Sequence, residues 1–361
     1  MRLLSSLLLV FLISSCTSES NFQKYIAHVE TLSSDEFEGR APGTPGGIKT
    51  KNYIADHYAS LGLKSFGDSY LLPVNLTGVS LDVNNSSFNL SVNEEVLDLD
   101  YRVDMVYGTS RQVENVNFDD SDLVFVGYGV NAPEYGWNDY KVDVTGKTVV
   151  MLINDPGFEL QGKDFNGKAM TYYGRWTYKY EEAARQGAAA ILIIHETAPA
   201  AYGWNVVESS WSGEQLNLTF EDKNIGRSAL EGWITLDVAE QLFASMGTSY
   251  DEMKQQALSK EFMPVEMSGM TLSANINNSL KYSESHNVVG YVEGSVAPEE
   301  YVIVMGHWDH LGKNEQLEGD QIFNGALDNA TGTAGVMHMA CLLYTSPSPR
   351  DMRRSRMPSS A

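Results

Sequence analysis

The sequence predicts an α/β protein built around a mixed β-sheet, with a strand-rich block in the middle of the chain. Near the N-terminus, apolar residues recur at helical spacing in two segments. Strand-like apolar runs dominate from about Leu76 to Ser268. From about Leu272, two strand-like runs are followed by a segment rich in small residues, as in a helix that packs closely on a sheet.

Two helices are predicted before the strand-rich block. The first starts near Phe22, and the Gly- and Pro-containing stretch SSDEFEGRAPGTPGG ends it. The second runs from about Ile48 to Leu61, with Gly62 as its C-cap. His28 and His57 lie on these helices, and we interpret both as surface or packing residues rather than as ligands.

The middle block contains several runs typical of strands and one short helix. The runs are FNLSV, LVFVGYGV, KTVVMLI, AAAILIIH and GWITL. Between two of them, YKYEEAARQG predicts a helix closed by Gly187. His195 ends the run AAAILIIH, but no acid follows two residues later, so we interpret it as structural.

Length, charge and cysteine content restrict the class of protein. A chain of 361 residues, 43% of them hydrophobic, favours two domains with a sizeable core. Its formal net charge of −22 at pH 7 argues against a nucleic-acid partner, because little positive charge is available to neutralise phosphates. Only Cys16 and Cys341 are present, so no disulfide forms if Cys16 carries lipid.

Both ends of the chain are predicted to lie outside the fold. Residues 1–16 have the positive start, short apolar run and small residues of a lipoprotein-type signal peptide, which indicates a bacterial envelope or secreted protein. The only expected membrane contact is a lipid on Cys16, and an ordinary secretory signal with a chance cysteine is the alternative. Residues 344–361 are basic and rich in Ser and Pro, which predicts a non-native or disordered tail, with a genuine basic tail as the alternative.

The stretch YVIVMGHWDHLG, from Tyr301, carries the candidate chemistry. Its apolar beginning predicts a buried strand, and His307 stands where that strand ends. On extended backbone His307 and Asp309 point to the same side, so the carboxylate can hold the imidazole in one tautomer, while Trp308 points away into packing. Chance surface polar residues are the alternative interpretation of the same pattern.

A second acid follows in NGALDNATG. Asp328 precedes the predicted helix in a loop that could bring its carboxylate beside His307. One carboxylate can bridge two metal ions about 3.5–4 Å apart, and such a pair activates a water and polarises a carbonyl. Together, the two stretches predict part of a metal site.

LSSDEFEGRAPGTPGG, GHWDHLG and NGALDNATG, in this order, resemble motifs of the co-catalytic zinc aminopeptidases of peptidase family M28. The resemblance implies a three-layer α/β zinc-exopeptidase domain around a mixed sheet, incomplete in this chain. It also implies an inserted β-rich protease-associated domain. The expected organisation is residues 17–75 and 269–343 for the peptidase domain, 76–268 for the insertion and 344–361 for the tail.

By this resemblance, His307 is a ligand of one zinc ion, Asp328 bridges two zinc ions, and Asp309 is the catalytic-site acid that orients His307. The substrates are expected to be peptides, and the oligomeric state is not predicted. The family also uses a Glu-Glu pair, a later Asp and a final His, none of which can be assigned here. We therefore expect a fragment without activity. The alternatives are a non-catalytic binding protein of transferrin-receptor-like architecture and a glutaminyl-cyclase-like transferase.

Overall fold

The computed structural model describes residues 17–160, 164–315 and 317–345. The predicted signal peptide and lipid site at Cys16 lie outside the described residues, as do residues 346–361 of the predicted tail. Among the described residues, no helix combines the length and apolar character needed to cross a bilayer.

Helices are present at the four predicted places, and the described residues contain five further helices that the sequence did not predict. The helices are α1 (Thr17–Leu32), α2 (Pro45–Leu61), α3 (Gly157–Leu160), α4 (Trp176–Arg185), α5 (Thr197–Ala200), α6 (Trp204–Trp211), α7 (Leu236–Ser245), α8 (Tyr250–Gln256) and α9 (Thr331–Thr345). Gly62 ends α2 in the left-handed conformation, as predicted. Helix α9 continues to Thr345, two residues into the range predicted as tail.

The strands are β1 (Leu71–Leu81), β2 (Ser87–Val92), β3 (Glu95–Val96), β4 (Met105–Gly108), β5 (Asn115–Phe125), β6 (Asn131–Ala132), β7 (Trp137–Asn138), β8 (Thr148–Leu152), β9 (Ala190–Ile194), β10 (Glu214–Leu218), β11 (Leu230–Ile234), β12 (Val265–Val288), β13 (Gly312–Lys313) and β14 (Ile322–Phe323). The large sheet has the order β10-β1-β12-β5-β8-β9-β11-β4, with β2 and β3 attached to β12. Strands β5, β8, β9 and β11 are parallel, whereas β4, β10 and β12 pair antiparallel with their neighbours β11, β1 and β5. The predicted mixed α/β fold is confirmed.

The chain divides into two compact units. One combines residues up to 75 with residues from 283 onward, and the other spans residues 76–282. The boundary that the sequence suggested, between residues 268 and 269, falls inside β12.

The second unit, residues 76–282, has helices on both faces of its sheet. Successive residues of a strand point to opposite faces. On β9, Leu192 accordingly belongs to the core that includes Phe243 of α7, whereas Ile193 belongs to the core that includes Tyr180 of α4. Continuous apolar runs such as AILII require this double cover, because both faces of a parallel sheet must be kept from water.

The first unit contains helices α1, α2 and α9. Its core consists of Leu32, Phe37, Ile54, Tyr58, Leu63, Ala330 and Met337. Val29 of α1 and Trp308 pack against this core. The segment that contains His307 is therefore supported, through Trp308, by a small core made mainly of helices.

The predicted buried strand over residues 301–305 is wrong. These residues have no strand assignment, and Val302 and Met305 are 96% and 81% exposed. A strand is stabilised by backbone pairing with a neighbour. Within the described part of the chain, no strand pairs with this segment.

Candidate metal centre

His307 is held against the start of α9. The Oγ1 of Thr333 donates a hydrogen bond of 2.8 Å to the carbonyl oxygen of His307. At the preceding residue, a Cβ added to Gly306 would lie 3.1 Å from the carbonyl carbon of Gly332. The close backbone approach thus favours glycine at 306, next to the residue that carries the imidazole.

The His307 imidazole lies between two carboxylates. Its Nε2 is 3.1 Å from Asp328 Oδ1, and its Nδ1 is 3.4 Å from Asp309 Oδ1. The same Nδ1 is 3.1 Å from the main-chain oxygen of Asp309, so this oxygen and Oδ1 of the same residue face one ring nitrogen. The structure thus brings the three sequence-predicted site residues together, with Asp309 and Asp328 at opposite ring nitrogens.

Asp328 is presented by an irregular turn just before α9. The turn covers Ala326–Ala330, and Asp328 itself is extended, with φ −114° and ψ 96°. Asn329 supports the turn, because its Oδ1 accepts a hydrogen bond of 3.0 Å from the backbone N–H of Gly332. The side chain of Asp328 is 73% exposed, so the carboxylate is available to a ligand.

Arg40 connects the segments that carry the site, and sequence reasoning missed it. Its side chain is 1% exposed. The guanidinium donates to the carbonyl oxygen of Trp308 through Nε (2.9 Å), to that of Asn324 through Nη1 (2.6 Å) and to that of Gly325 through Nη2 (2.8 Å). Nη1 also donates to the carbonyl of Leu32, at the end of α1. One buried cation therefore joins the His307 loop to the loop before Asp328.

The positive charge of Arg40 interacts with the two carboxylates of the site. Burial lowers the pKa of the guanidinium, and the nearby carboxylates of Asp309 and Asp328 oppose that effect. The guanidinium donates to one buried and three part-buried carbonyl groups, of which that of Gly325 also accepts from the N–H of Ala330 at 3.1 Å. In the sequence, Arg40 is one arginine in a Gly- and Pro-containing stretch, so nothing local distinguishes it from a surface residue.

Gly39 lets Arg40 reach these carbonyls. Its φ is +66°, and an added Cβ would lie 2.1 Å from the carbonyl oxygen of Gly312. A side chain at this position would therefore collide with backbone. The motif EGR thus has a steric reason for its glycine.

Trp308 and His310, the other two ring-bearing residues of GHWDHLG, play packing roles. Trp308 points away from the site, as predicted, and its Nε1 donates to the carbonyl oxygen of His286 at 3.1 Å. The backbone N–H of His310 lies 3.4 Å from the carbonyl oxygen of Arg40. Burial lowers the pKa of His310.

His195 is structural, since it is 5% exposed and its Nε2 is 3.0 Å from the carbonyl oxygen of Tyr202.

The atoms that could bind a metal are of the types that zinc prefers, but there are fewer of them than a catalytic zinc ion usually has. Imidazole nitrogen and carboxylate oxygen are both zinc ligands, and a catalytic zinc usually has three protein ligands. His307 Nε2 and Asp328 Oδ1 can face a common ion, whereas Asp309 lies at the other ring nitrogen. Within the described ranges, no group of three or more His, Cys, Asp or Glu side chains is arranged to hold a metal. The geometry thus places two atoms of ligand type, His307 Nε2 and Asp328 Oδ1, next to each other.

The segment that carries these residues is similar to a known protein family. Residues 287–354 match the model of peptidase family M28, a span that includes His307, Asp309 and Asp328. The match is confined to this segment of the chain. The M28 match continues into residues 344–354, where the sequence predicted a non-native or disordered tail.

Several solved structures are similar to the chain. An aminopeptidase from Aneurinibacillus sp. strain AM-1 has 18% identity and a TM-score of 0.42, with 89% of this chain and 58% of that chain covered. A zinc aminopeptidase from Bacillus subtilis has 16% identity and a TM-score of 0.34, with coverage of 91% and 58%. A peptidase M28 precursor from Shewanella amazonensis SB2B has 15% identity and a TM-score of 0.37, with coverage of 90% and 64%.

The chain carrying the M28 segment spans 58% of the length of the first two of these structures. No curated protein sequence matches it.

Proposed function

We propose that this chain is part of an exported zinc-dependent exopeptidase of the aminopeptidase type, which hydrolyses peptide bonds. The observation that carries the proposal is the distance of 3.1 Å between His307 Nε2 and Asp328 Oδ1, within a segment that matches peptidase family M28. Imidazole and carboxylate at this separation are suited to a shared divalent cation.

Each of the three side chains has a separate role in the proposal. Bound zinc lowers the pKa of a water molecule and polarises the substrate carbonyl. His307 presents Nε2 as a ligand atom, and the oxygens of Asp309 accept from Nδ1–H, which keeps the Nε2 lone pair free. Asp328 offers two carboxylate oxygens, enough to contact one ion or to bridge two.

These residues alone are proposed not to turn over substrate. They supply at most two protein ligands to a zinc ion, and no carboxylate in the described ranges is assigned as general base. Weak zinc binding and no measurable hydrolysis of a chromogenic aminoacyl substrate are the expected results for the chain as printed. Robust hydrolysis by this chain would show that the ligand count is misjudged.

The first experiment measures zinc affinity by competition with a chromophoric chelator, so that its readout does not depend on activity. His307→Ala and Asp328→Asn should each abolish competition, because each removes one of only two donors. Asp309→Asn should weaken zinc binding by about 10–100-fold, as expected for a residue that orients a ligand.

His310→Gln is the matched control, since it alters a histidine three positions away that contributes no donor to the pair. Its zinc affinity should equal that of the unaltered chain. If the unaltered chain binds no more zinc than His307→Ala does, the zinc proposal fails, and a non-catalytic binding protein becomes the better interpretation.

Export and lipid anchoring at Cys16 are part of the proposal on the basis of the sequence of residues 1–16. Expression in a bacterium with a labelled fatty acid should give a labelled, membrane-associated protein. Cys16→Ser should remove the label. An unlabelled chain that is nevertheless processed would indicate an ordinary secretory signal.

A further inference from the structure

The second unit contains a cavity of about 600 Å³ at the ends of its large sheet. Tyr107 and Gly108 of β4 line it on one side, and Gln215 to Leu218 of β10 line it on the other. Strands β4 and β10 are the two terminal strands in the order of the sheet. The cavity therefore lies where two strand edges approach each other, and its volume is within the range of about 300–1,000 Å³ that is usual for ligand sites.

The edge of β10 that faces away from β1 has backbone groups available for pairing. At one end, the side-chain amide of Gln112 already pairs with this edge. Its Nε2 donates to the carbonyl oxygen of Leu218 (2.5 Å), and its Oε1 accepts from the N–H of Phe220 (3.0 Å). Because alternate residues of an antiparallel strand direct their backbone groups to the same edge, those of Leu216 point the same way as those of Leu218. Among the described residues, β10 pairs with no strand except β1.

Apolar side chains surround the mouth of the cavity. Trp176, Leu216 and Phe220 are each 40–41% exposed, and Leu218 is 55% exposed, although all four are large hydrophobic residues. Exposed apolar groups that converge on one cavity mark a binding site more often than isolated ones do. An apolar side chain of a ligand would shield them from water.

The charged groups that line the cavity favour a cationic group on the ligand. The carboxylate of Glu231 already has partners within the chain, because it accepts hydrogen bonds from Ser110 Oγ (2.6 Å) and from Arg227 Nε (2.8 Å). Glu181 accepts a hydrogen bond of 3.1 Å from the hydroxyl of Tyr172 and lies 3.8 Å from Arg185 Nη1 and 3.9 Å from Arg227 Nη1, without a hydrogen bond to either arginine at these distances. Its carboxylate is 40% exposed and can receive a lysine or arginine of a ligand.

We propose that this cavity binds an extended apolar peptide that carries one basic residue and pairs through its backbone with the outer edge of β10. Strand addition at a free sheet edge supplies the backbone hydrogen bonds, and the cavity receives alternate side chains. The inference rests on the proposed peptidase function for the class of ligand, and it assigns peptide recognition to a second site. A segment of about five residues matches the length of β10.

The test uses a five-residue peptide with alternate leucines and one lysine, acetylated and amidated so that it has no free amino terminus for an aminopeptidase. Binding to the full chain is followed by tryptophan fluorescence, because Trp176 and Trp211 line the cavity. Saturable binding is expected, and it should persist when a chelator removes zinc. The same peptide with N-methylated backbone amides should bind at least about tenfold more weakly, since it cannot pair with a strand edge.

Gly108 provides the variant that fills the cavity. A Cβ added there has no heavy atom within 4 Å, so a side chain at this position starts in open space next to the cavity that Gly108 lines. Gly108→Phe should weaken peptide binding at least about tenfold, whereas the control Gly108→Ala should leave it within about twofold. Both variants should unfold at the same denaturant concentration as the unaltered chain.

The inference is overturned if the blocked peptide does not bind saturably, or if Gly108→Phe and N-methylation leave the affinity unchanged. Loss of peptide binding on zinc removal would also overturn it, because the peptide would then occupy the metal centre. A chain that binds the peptide but no zinc would refute the proposed function while supporting this site. The two failures are thus distinguishable.

Discussion

Among single residues, the Arg40→Lys substitution measures how strongly one side chain holds the site loops together. Lysine keeps the charge but has a single donor nitrogen, whereas the carbonyls of Trp308, Asn324 and Gly325 accept from three different nitrogens of the guanidinium. The carbonyl of Gly325 keeps the N–H of Ala330 as a donor, but those of Trp308 and Asn324 would lose their arginine donor. A polar group removed from water without a partner costs about 1–3 kcal/mol, so we expect the free energy of unfolding to fall by about 2 kcal/mol. Urea denaturation measures this change, and zinc affinity should fall with it.

A surface cation serves as the control for Arg40. Lys49 forms an ion pair of 2.7 Å with Glu36, but both side chains are largely exposed. Lys49→Met should therefore change stability by less than about 1 kcal/mol and leave zinc affinity unaltered. Equal effects of the two substitutions would contradict the role that we give to Arg40.

His28 should make the stability of the chain depend on pH. Burial, followed by the charges of His57 and His338, lowers the pKa of His28 to about 4, compared with an ordinary value of 6.5. Between these values the unfolded chain binds a proton that the folded chain does not bind, so protons favour unfolding. The contribution is complete above pH 6.5 and is lost as the pH falls toward 4.

Thermal unfolding at pH 7 and at pH 5 tests this expectation. His28→Phe removes the titrating group and keeps an aromatic ring beside Tyr53, its hydrogen-bond partner at 2.7 Å. The decrease in melting temperature between the two pH values should be smaller in this variant. An unchanged decrease would mean that other groups, such as His57, cause the acid sensitivity.

At the scale of elements, the apolar segment 301–305 should tolerate a charge. Val302 is 96% exposed, so Val302→Lys should change the free energy of unfolding by no more than about 0.5 kcal/mol. Leu192→Ala in the buried strand β9, where Leu192 is fully buried, should cost about 2–5 kcal/mol. Denaturant unfolding of both variants makes the comparison, and a severe effect of Val302→Lys would indicate that the segment is a buried strand after all.

For the whole molecule, the formal net charge of −22 should make stability depend on salt. Like charges on one chain repel one another, and the compact state suffers more than the unfolded state. Salt shortens the range of this repulsion to about 10 Å at 0.1 M. We therefore expect the melting temperature to rise between about 0.01 M and 0.2 M sodium chloride. A decrease would imply that attractive ion pairs outweigh the repulsion.

The sequence by itself determined the elements whose signals are local. Helical spacing and a closing glycine identified α2 and α4, and continuous apolar runs identified β8 and β9, because these signals depend on residues close together in the chain. It also singled out His307, Asp309 and Asp328, since the order of histidine and acids along the chain is itself the signal.

Only the tertiary structure decided what depends on distant partners. Arg40 became part of the site because carbonyls more than 260 positions away surround it. The run at 301–305 has the composition of a buried strand, yet a strand also requires a neighbour, and composition does not specify one. In the same way, the cavity between β4 and β10 arises where the terminal strands of one sheet approach each other, which no local pattern encodes.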